Sequence, residues 1–255
     1  MKKATPAVKH LRKIALKSWS EIGFSLEKTQ DGSPTLRRHQ PTRNDFQTGE
    51  SMHHSGGAWE ETLYIYKPVI EKIKEWNIPN PAFLSVGLGL GYVELMIAKE
   101  FLGSSDLYIS SYEIVPELKD LFLKWLAGKE LPEEVQETYD LVGRFVSPQI
   151  EPLKMFLLKA YQNKNWILGE AFESSKPPLK HHGIMYDAFS KAVSPQLWEP
   201  EFLLSTFSDW AAETCCLSTY SCTGNLKRAL KASGFEVNLR QGFKGKRDST
   251  FAYRR

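Results

Sequence analysis

Cysteine is scarce in this sequence. Cys215, Cys216 and Cys222 are the 3 present in 255 residues, clustered without the paired spacing of a zinc site, which favours core thiols in a reducing compartment and no bound metal. Long hydrophobic runs are missing too. Nothing approaches about eighteen consecutive apolar residues, which excludes a membrane-spanning helix. The Lys-rich start "MKKATPAVKHLRKIALKSWS" has too short an apolar stretch for a secretory signal. A cytoplasmic protein with no membrane partner is the expectation. Charge of one sign is also lacking in bulk: 33 Lys and Arg against 30 Asp and Glu leave +3, too little to announce a nucleic-acid binder from composition. There is no internal repeat and no low-complexity tract.

What charge there is has a pattern. Lys2, Lys3, Lys9, Arg12, Lys13 and Lys17 precede the first acid, Glu21, and a second basic cluster runs from Lys227 to Arg255. The stretch from Glu94 to Asp140 is acid-rich. Both basic ends suit a polyanion if folding brings them to one face, and solvated helical faces explain them equally well.

The chain divides near residue 58. In the first part, Val8, Leu11, Ile14, Ala15 and Trp19 fall near helical spacing, which predicts a basic amphipathic helix. A polar stretch follows, in which "DGSP" marks a turn of a short hairpin. From Trp59 a helix runs to Trp76 and stops at "NIPNP", because proline lacks the donor and restricts the residue before it. Then "AFLSVGLG", a tight turn and "YVELMIAKEFLG" read as strand, turn, helix. "DLYISSYEIVPELKDLFLKWLAG" repeats that unit. "NWILGEA", "GIMYDAF" and "ETCCLSTYS" read as further strands, and "TGNLKRALKASG" as a helix closed by Gly234. "FEVNLRQ" and "STFAYRR" close the chain as an antiparallel pair. Such alternation predicts an α/β domain over residues 59–255, with a doubly wound, mostly parallel sheet and a C-terminal antiparallel hairpin; residues 1–58 form a small N-terminal extension. That is the architecture of class I methyltransferases.

The chemistry centres on "LSVGLGLGYVE". In an open parallel sheet ligands bind beyond the carboxyl ends of the strands, and Gly87, Gly89 and Gly91 stand at such an end, where glycine allows positive φ and close backbone approach. Glu113 ends the next strand about twenty residues on, the spacing of a carboxylate that accepts both ribose hydroxyls of an adenosine-containing cofactor. G-x-G-x-G is tighter than the G-x-G-x-x-G of nucleotide dehydrogenases and points to S-adenosyl-L-methionine. Asp187, in "YDAFS", ends a later strand and would face the cofactor's methyl group. Methyl transfer needs a neutral nucleophile held in line. An amine with a pKa of about 10.4 costs roughly 4 to 5 kcal/mol to neutralise at pH 7, and handing its proton to an ordinary aspartate is uphill by about 9 kcal/mol. Asp187 therefore suits an acceptor that orients the amine; capping of the next helix is its structural alternative. His181 and His182 are expected in a solvated polar turn. His53 and His54 fall in a long loop that can fold over a site.

Seven stretches together carry a family resemblance from about Asp31 onward: "DGSPTL", "GESMHHSGGAWEETLYIY", "VGLGLGY", "YISSYEIVPEL", "YDAFSKAVSPQLWEPEF", "LSTYSCTGNLKRALKASGF" and "GFKGKRD". They resemble the methyltransferase domain of MnmC and its stand-alone relatives. That family methylates the aminomethyl group on the wobble uridine, commonly 2-thiolated, of certain tRNAs. The resemblance implies Asp187 as the catalytic aspartate, Glu113 as the ribose acid, Gly87, Gly89 and Gly91 as the cofactor loop, and Glu170 near the adenine. It puts Met52, His53 and Glu61 over the cofactor pocket and Phe189, Pro195 and Trp198 on the substrate side. Lys244, Lys246 and Arg247 become RNA contacts, with the tRNA anticodon loop as partner. Trp59, Tyr66, Phe189 and Trp198 are candidate stackers for a splayed base. No fused oxidase domain is expected in 255 residues. The chain departs from the family at Ser85, where an acid is common, and at Lys191, Val193 and Ser194, which replace a proline, a lysine and an asparagine. Two other readings stay open: a methyltransferase acting on another amine or RNA, and a non-catalytic RNA-binding relative.

Overall fold

The computed structural model describes residues 17–39, 49–245 and 248–255. The predicted basic helix falls on residues outside these, apart from its last apolar position. Trp19 is buried, its indole N–H donating to Thr138 Oγ1 at 3.1 Å.

A hairpin comes first: β1 (Phe24–Lys28) pairs antiparallel with β2 (Pro34–Arg38), and β3 (Glu50–Ser51) adds to β2. The "DGSP" turn between β1 and β2 also caps the helix that follows, α1 (Ala58–Glu75). A helix start leaves backbone N–H groups without partners. Here Ser33 Oγ accepts from the N–H groups of Ala58 and Trp59, both at 3.0 Å, and Asp31 Oδ2 accepts from Glu60 N–H at 3.2 Å. Against the cost of burial, the hydrogen bonds from Ser33, Thr29 and Glu60 hold the Asp31 carboxyl below its ordinary range, so it presents an anion to the positive end of the helix.

The rest alternates: β4 (Ala82–Val86), α2 (Tyr92–Glu100), β5 (Tyr108–Tyr112), α3 (Pro116–Leu126), α4 (Glu133–Val146), α5 (Glu151–Gln162), β6 (Trp166–Gly169), β7 (His181–Tyr186), α6 (Pro200–Asp209), β8 (Ala211–Thr219), α7 (Gly224–Ala232), β9 (Glu236–Arg240) and β10 (Ser249–Arg254). The seven strands from β4 onward form one sheet in the order β6-β5-β4-β7-β8-β10-β9. Strands β6 to β8 run parallel, and β10 pairs antiparallel with both β8 and β9. Helices α4 and α5 are additions to the elements expected from the sequence.

Both faces of this sheet are covered, and side chains alternate between two cores. Phe83, Met185 and Cys216 enter the core that holds α1 to α5; Leu84, Ile184, Tyr186 and Leu217 enter the one closed by α6 and α7. Burial of each such large apolar side chain contributes about 1.5–3 kcal/mol. Strand order reverses between β4, which continues to β5 and β6 on one side, and β7 on the other. The connections that leave β4 and β7 therefore run to opposite sides and open a crevice beyond the paired strand ends. Among the described residues no helix is long and apolar enough to cross a membrane.

His181 corrects an expectation. It lies in β7, fully buried, with Nε2 2.9 Å from Ser110 Oγ and its ring stacked on Trp210 at 5.8 Å. Burial first, against the hydrogen bond to the Trp210 carbonyl, pushes its pKa down to about 4. His182 is half-buried, and its Nδ1 accepts from Ala82 N–H at 3.2 Å. The polar sequence around them begins a strand because both neighbouring strands supply partners.

Candidate active site

The crevice opens into a cavity at the carboxyl ends of β4, β5 and β7, roofed by β3 and the start of α1. The three loop glycines all have positive φ, at +100° for Gly87, +53° for Gly89 and +77° for Gly91, yet each is needed for a different reason. A Cβ on Gly87 would stand 2.5 Å from the Asp187 carbonyl oxygen, so glycine lets the ends of β4 and β7 meet. Gly89 lines the cavity and faces Met52 Sδ. Gly91 lies outside the lining; a Cβ there would overlap the Phe122 ring, so its part in the loop is close helix packing.

Glu113 follows β5 and ties the second glycine turn to the strand. Its Oε2 accepts from Gly89 N–H at 3.1 Å and its Oε1 from Val115 N–H at 2.9 Å. Burial lifts its carboxyl above the ordinary range, although those N–H groups and the nearby Arg38 guanidinium pull it down. Glu170 lines the same cavity, its carboxylate paired with Lys119 Nζ at 3.0 Å.

Asp187 follows β7. Its N–H donates to the Val86 carbonyl at 2.9 Å, which fixes the backbone, and its Oδ1 accepts from Tyr66 Oη at 2.5 Å, which fixes the carboxylate. Burial, then the adjacent Asp187 charge, drives the Tyr66 phenol far above its ordinary range. Tyr66 is therefore a permanent donor and Asp187 its acceptor. The next three residues are pinned one by one. Tyr220 Oη donates to the Ala188 carbonyl at 2.7 Å, Trp198 Nε1 donates to the Phe189 carbonyl at 2.7 Å, and Ser190 donates from N at 3.0 Å and Oγ at 2.6 Å to Glu50.

The roof brings Met52, His53 and Glu61 to the cavity. His53 Nδ1 lies 2.9 Å from Thr35 Oγ1 and its ring meets the edge of Tyr92 at 5.4 Å. Glu61, on α1, accepts from His54 N–H at 2.5 Å. Six lining residues are thus carboxylic: Glu50, Glu61, Glu113, Glu170, Glu173 and Asp187; among the described residues no lysine or arginine lines the cavity.

Several sequence expectations land elsewhere. Phe189 lines the cavity, whereas Pro195 is exposed on a short helical turn and Trp198 is buried against Tyr186. Trp198 therefore acts on this site through the Phe189 backbone and has no face for a base. Tyr66 is buried as well, and Trp59 stacks on Tyr92 at 5.9 Å. Of the four aromatics, Tyr66 and Phe189 line the cavity, and Tyr66 is buried. The Lys244 ammonium turns back onto the chain, to the Gly56 carbonyl at 2.7 Å and Glu60 at 2.5 Å. Lys246 and Arg247 lie outside the described residues. Glu50, Tyr66 and Tyr220 were missed as positioning groups; they sit inside the stretches "GES", "YIY" and "STYS", but nothing in their spacing marks their partners. Glu173 carries no sequence signal.

Residues 153–255 match the family described as S-adenosyl-L-methionine-dependent methyltransferase. The tRNA 5-methylaminomethyl-2-thiouridine biosynthesis bifunctional protein MnmC of Pseudoalteromonas atlantica is 23% identical over 82% of this chain and 31% of its own length. The protein of the same name from an Azoarcus species is 25% identical over 88% of this chain and 34% of its own. The chain thus spans about a third of the length of these relatives. Among solved structures, MNMC2 from Aquifex aeolicus is similar with a TM-score of 0.61 and 25% identity, over 90% of this chain and 70% of that one. In fold and in sequence the chain resembles the methyltransferase domain of MnmC, a class I methyltransferase domain whose cofactor is S-adenosyl-L-methionine.

Proposed function

We propose that the chain is an N-methyltransferase that converts the 5-aminomethyl group of a wobble uridine or 2-thiouridine in tRNA to 5-methylaminomethyl. The observation that carries this reading is the convergence of six carboxylates on one cavity, with Asp187 held by Tyr66 at its floor. Such a lining suits a sulfonium and the ammonium form in which an aminomethyl group arrives, which gives one proton to water before it can accept a methyl, and would repel a phosphate at the reacting end. The printed function of the MnmC relatives, 5-methylaminomethyl-2-thiouridine biosynthesis in tRNA, supports the choice of amine. A cytoplasmic location follows from that substrate.

The residues present fit the cofactor. Buried Glu113, adjoining the Gly89 turn, is the group to hold the ribose hydroxyls, and Glu170 stands beside it for the adenine end, with Met52, His53 and Glu61 closing over the top. S-adenosyl-L-methionine held there would supply an electrophilic methyl group to the amine. The protein's part is position and charge. Asp187 accepts an N–H of the neutral amine and so aims its lone pair, while the Tyr66 hydrogen bond holds the carboxylate in one orientation. The positive charge moves from sulfur to nitrogen without leaving the cavity, so the carboxylates aid binding of both states more than they lower the barrier between them. The methylated nitrogen then gives its extra proton to water.

A second reading keeps cofactor and chemistry but changes the amine. Lys191, Val193 and Ser194 after Asp187, and the inward turn of Lys244, favour it. Asp187→Ala tests the shared core. It should leave cofactor affinity, measured by calorimetry, within a few fold and remove turnover; surviving turnover would sink the assignment of Asp187.

A further inference from the structure

A cavity walled by carboxylates needs a cation where an anionic substrate enters. Two adjacent arginines on β2 behave differently in this respect. Arg37 is spent within the extension, its Nε on Glu27 at 2.6 Å and an Nη on the Gly49 carbonyl at 2.5 Å. Arg38 reaches the other way: its guanidinium centre stands 5.6 Å from the centroid of the Phe189 ring. Its charge also reaches the buried Glu113 carboxylate, and among the described residues its fork makes no hydrogen bond or ion pair.

The platform beneath Arg38 is fixed. Phe189 belongs to the segment whose carbonyls and N–H are held by Tyr220, Trp198 and Glu50. Glu50 is also the residue of β3 that pairs with Arg38 in the sheet. Neighbouring strands thus grip Phe189–Ser190 from two sides, one by a carboxylate on Ser190 and one by a guanidinium on the ring. Stacking on an aromatic face holds a guanidinium with little rotamer freedom left to lose, and its planar fork matches a phosphate in two-point geometry. Only two residues of chain, at most about 7 Å, separate Phe189 from Asp187. That is the span of a single nucleotide.

We infer that Arg38 anchors the phosphate adjoining the nucleotide that presents its amine to Asp187. This rests on the tRNA reading above. It divides the labour by charge: carboxylates take the cationic end of the substrate, and one stacked arginine at the rim takes the anionic end and sets how deep the base can enter.

Arg38→Met keeps an apolar stem on Phe189 and removes the fork; Arg38→Lys keeps the charge alone. Dissociation constants for tRNA carrying aminomethyluridine would be measured over a range of salt, and for S-adenosyl-L-methionine by calorimetry, with thermal melts to verify folding. Arg38→Met should weaken RNA binding about tenfold or more and lower the slope of log affinity against log salt by about 0.7. Arg38→Lys should restore the slope without the full affinity. Cofactor affinity should be unchanged in both. Loss of cofactor affinity with RNA binding intact would make Arg38 a counter-ion of the carboxylates and overturn the inference, as would an unchanged salt slope in Arg38→Met. Failure of the wild type itself to bind this RNA would instead remove the parent reading.

Discussion

Glu94 lies just past the glycine loop, on the first turn of α2, where no water reaches it. Its Oε1 accepts from Ser111 Oγ at 2.7 Å, Ser111 in turn accepts from Trp166 Nε1 at 3.0 Å, and Oε2 has no hydrogen-bond partner. Burial, only partly offset by Ser111, raises its pKa from 4.5 to about 7. Between those values the folded state holds a proton that the unfolded chain has lost, so this residue makes stability fall as pH rises, by roughly 3 kcal/mol once pH exceeds both. His181 acts with the opposite sign. Its pKa falls from 6.5 to about 4, so it costs the fold stability as pH drops through that window. Where the two windows overlap the slopes nearly cancel in the wild type. Glu94→Gln unmasks the histidine: urea unfolding should find the variant gaining roughly 3 kcal/mol more over wild type at pH 8 than at pH 4.5. A gain independent of pH would contradict the burial argument. Ser85, read in the sequence as the place of a missing acid, is itself fully buried beneath the glycine loop.

At the scale of elements, the extension and the sheet domain are joined through β3. Glu50 accepts both Ser190 hydrogen bonds and so fixes the loop after β7 from the opposite side of the cavity. Glu50→Ala should release the Ser190 amide, with hydrogen exchange there faster by about tenfold, the expected loss of a charge-assisted bond. Unchanged protection would mean that Tyr220 and Trp198 suffice. Much of this layer was legible: the helix from Trp59, the strands ending at Val86, Tyr112 and Tyr186, and the closing hairpin follow from periodicity and turn residues. Helix α4 was also within reach, since Val135, Tyr139, Val142 and Val146 fall at helical spacing. The charge of the stretch up to Asp140 masks that period. His181 was misread because its partners, Ser110 and Trp210, are distant in sequence.

For the whole molecule, strand order does what local pattern cannot reveal. Crossing from β6 back to β7 on the far side of β4 brings Glu113 and Asp187 to one crevice, and the extension folds Glu50 and Glu61 over it. The glycine loop, Glu113 and Asp187 were readable because each ends a strand. The carboxylate lining was not, because its six members come from five segments spread between residues 50 and 187. On the proposed function, the same assembly fits an amine placed next to a sulfonium and offered by an anionic polymer. Nucleoside mass spectrometry of tRNA bearing 5-aminomethyluridine, incubated with the protein and S-adenosyl-L-methionine, tests this most directly. The account predicts one added methyl on that nucleoside and none on tRNA that lacks the aminomethyl group. A methyl appearing elsewhere, or none at all from protein that binds the cofactor, would contradict it.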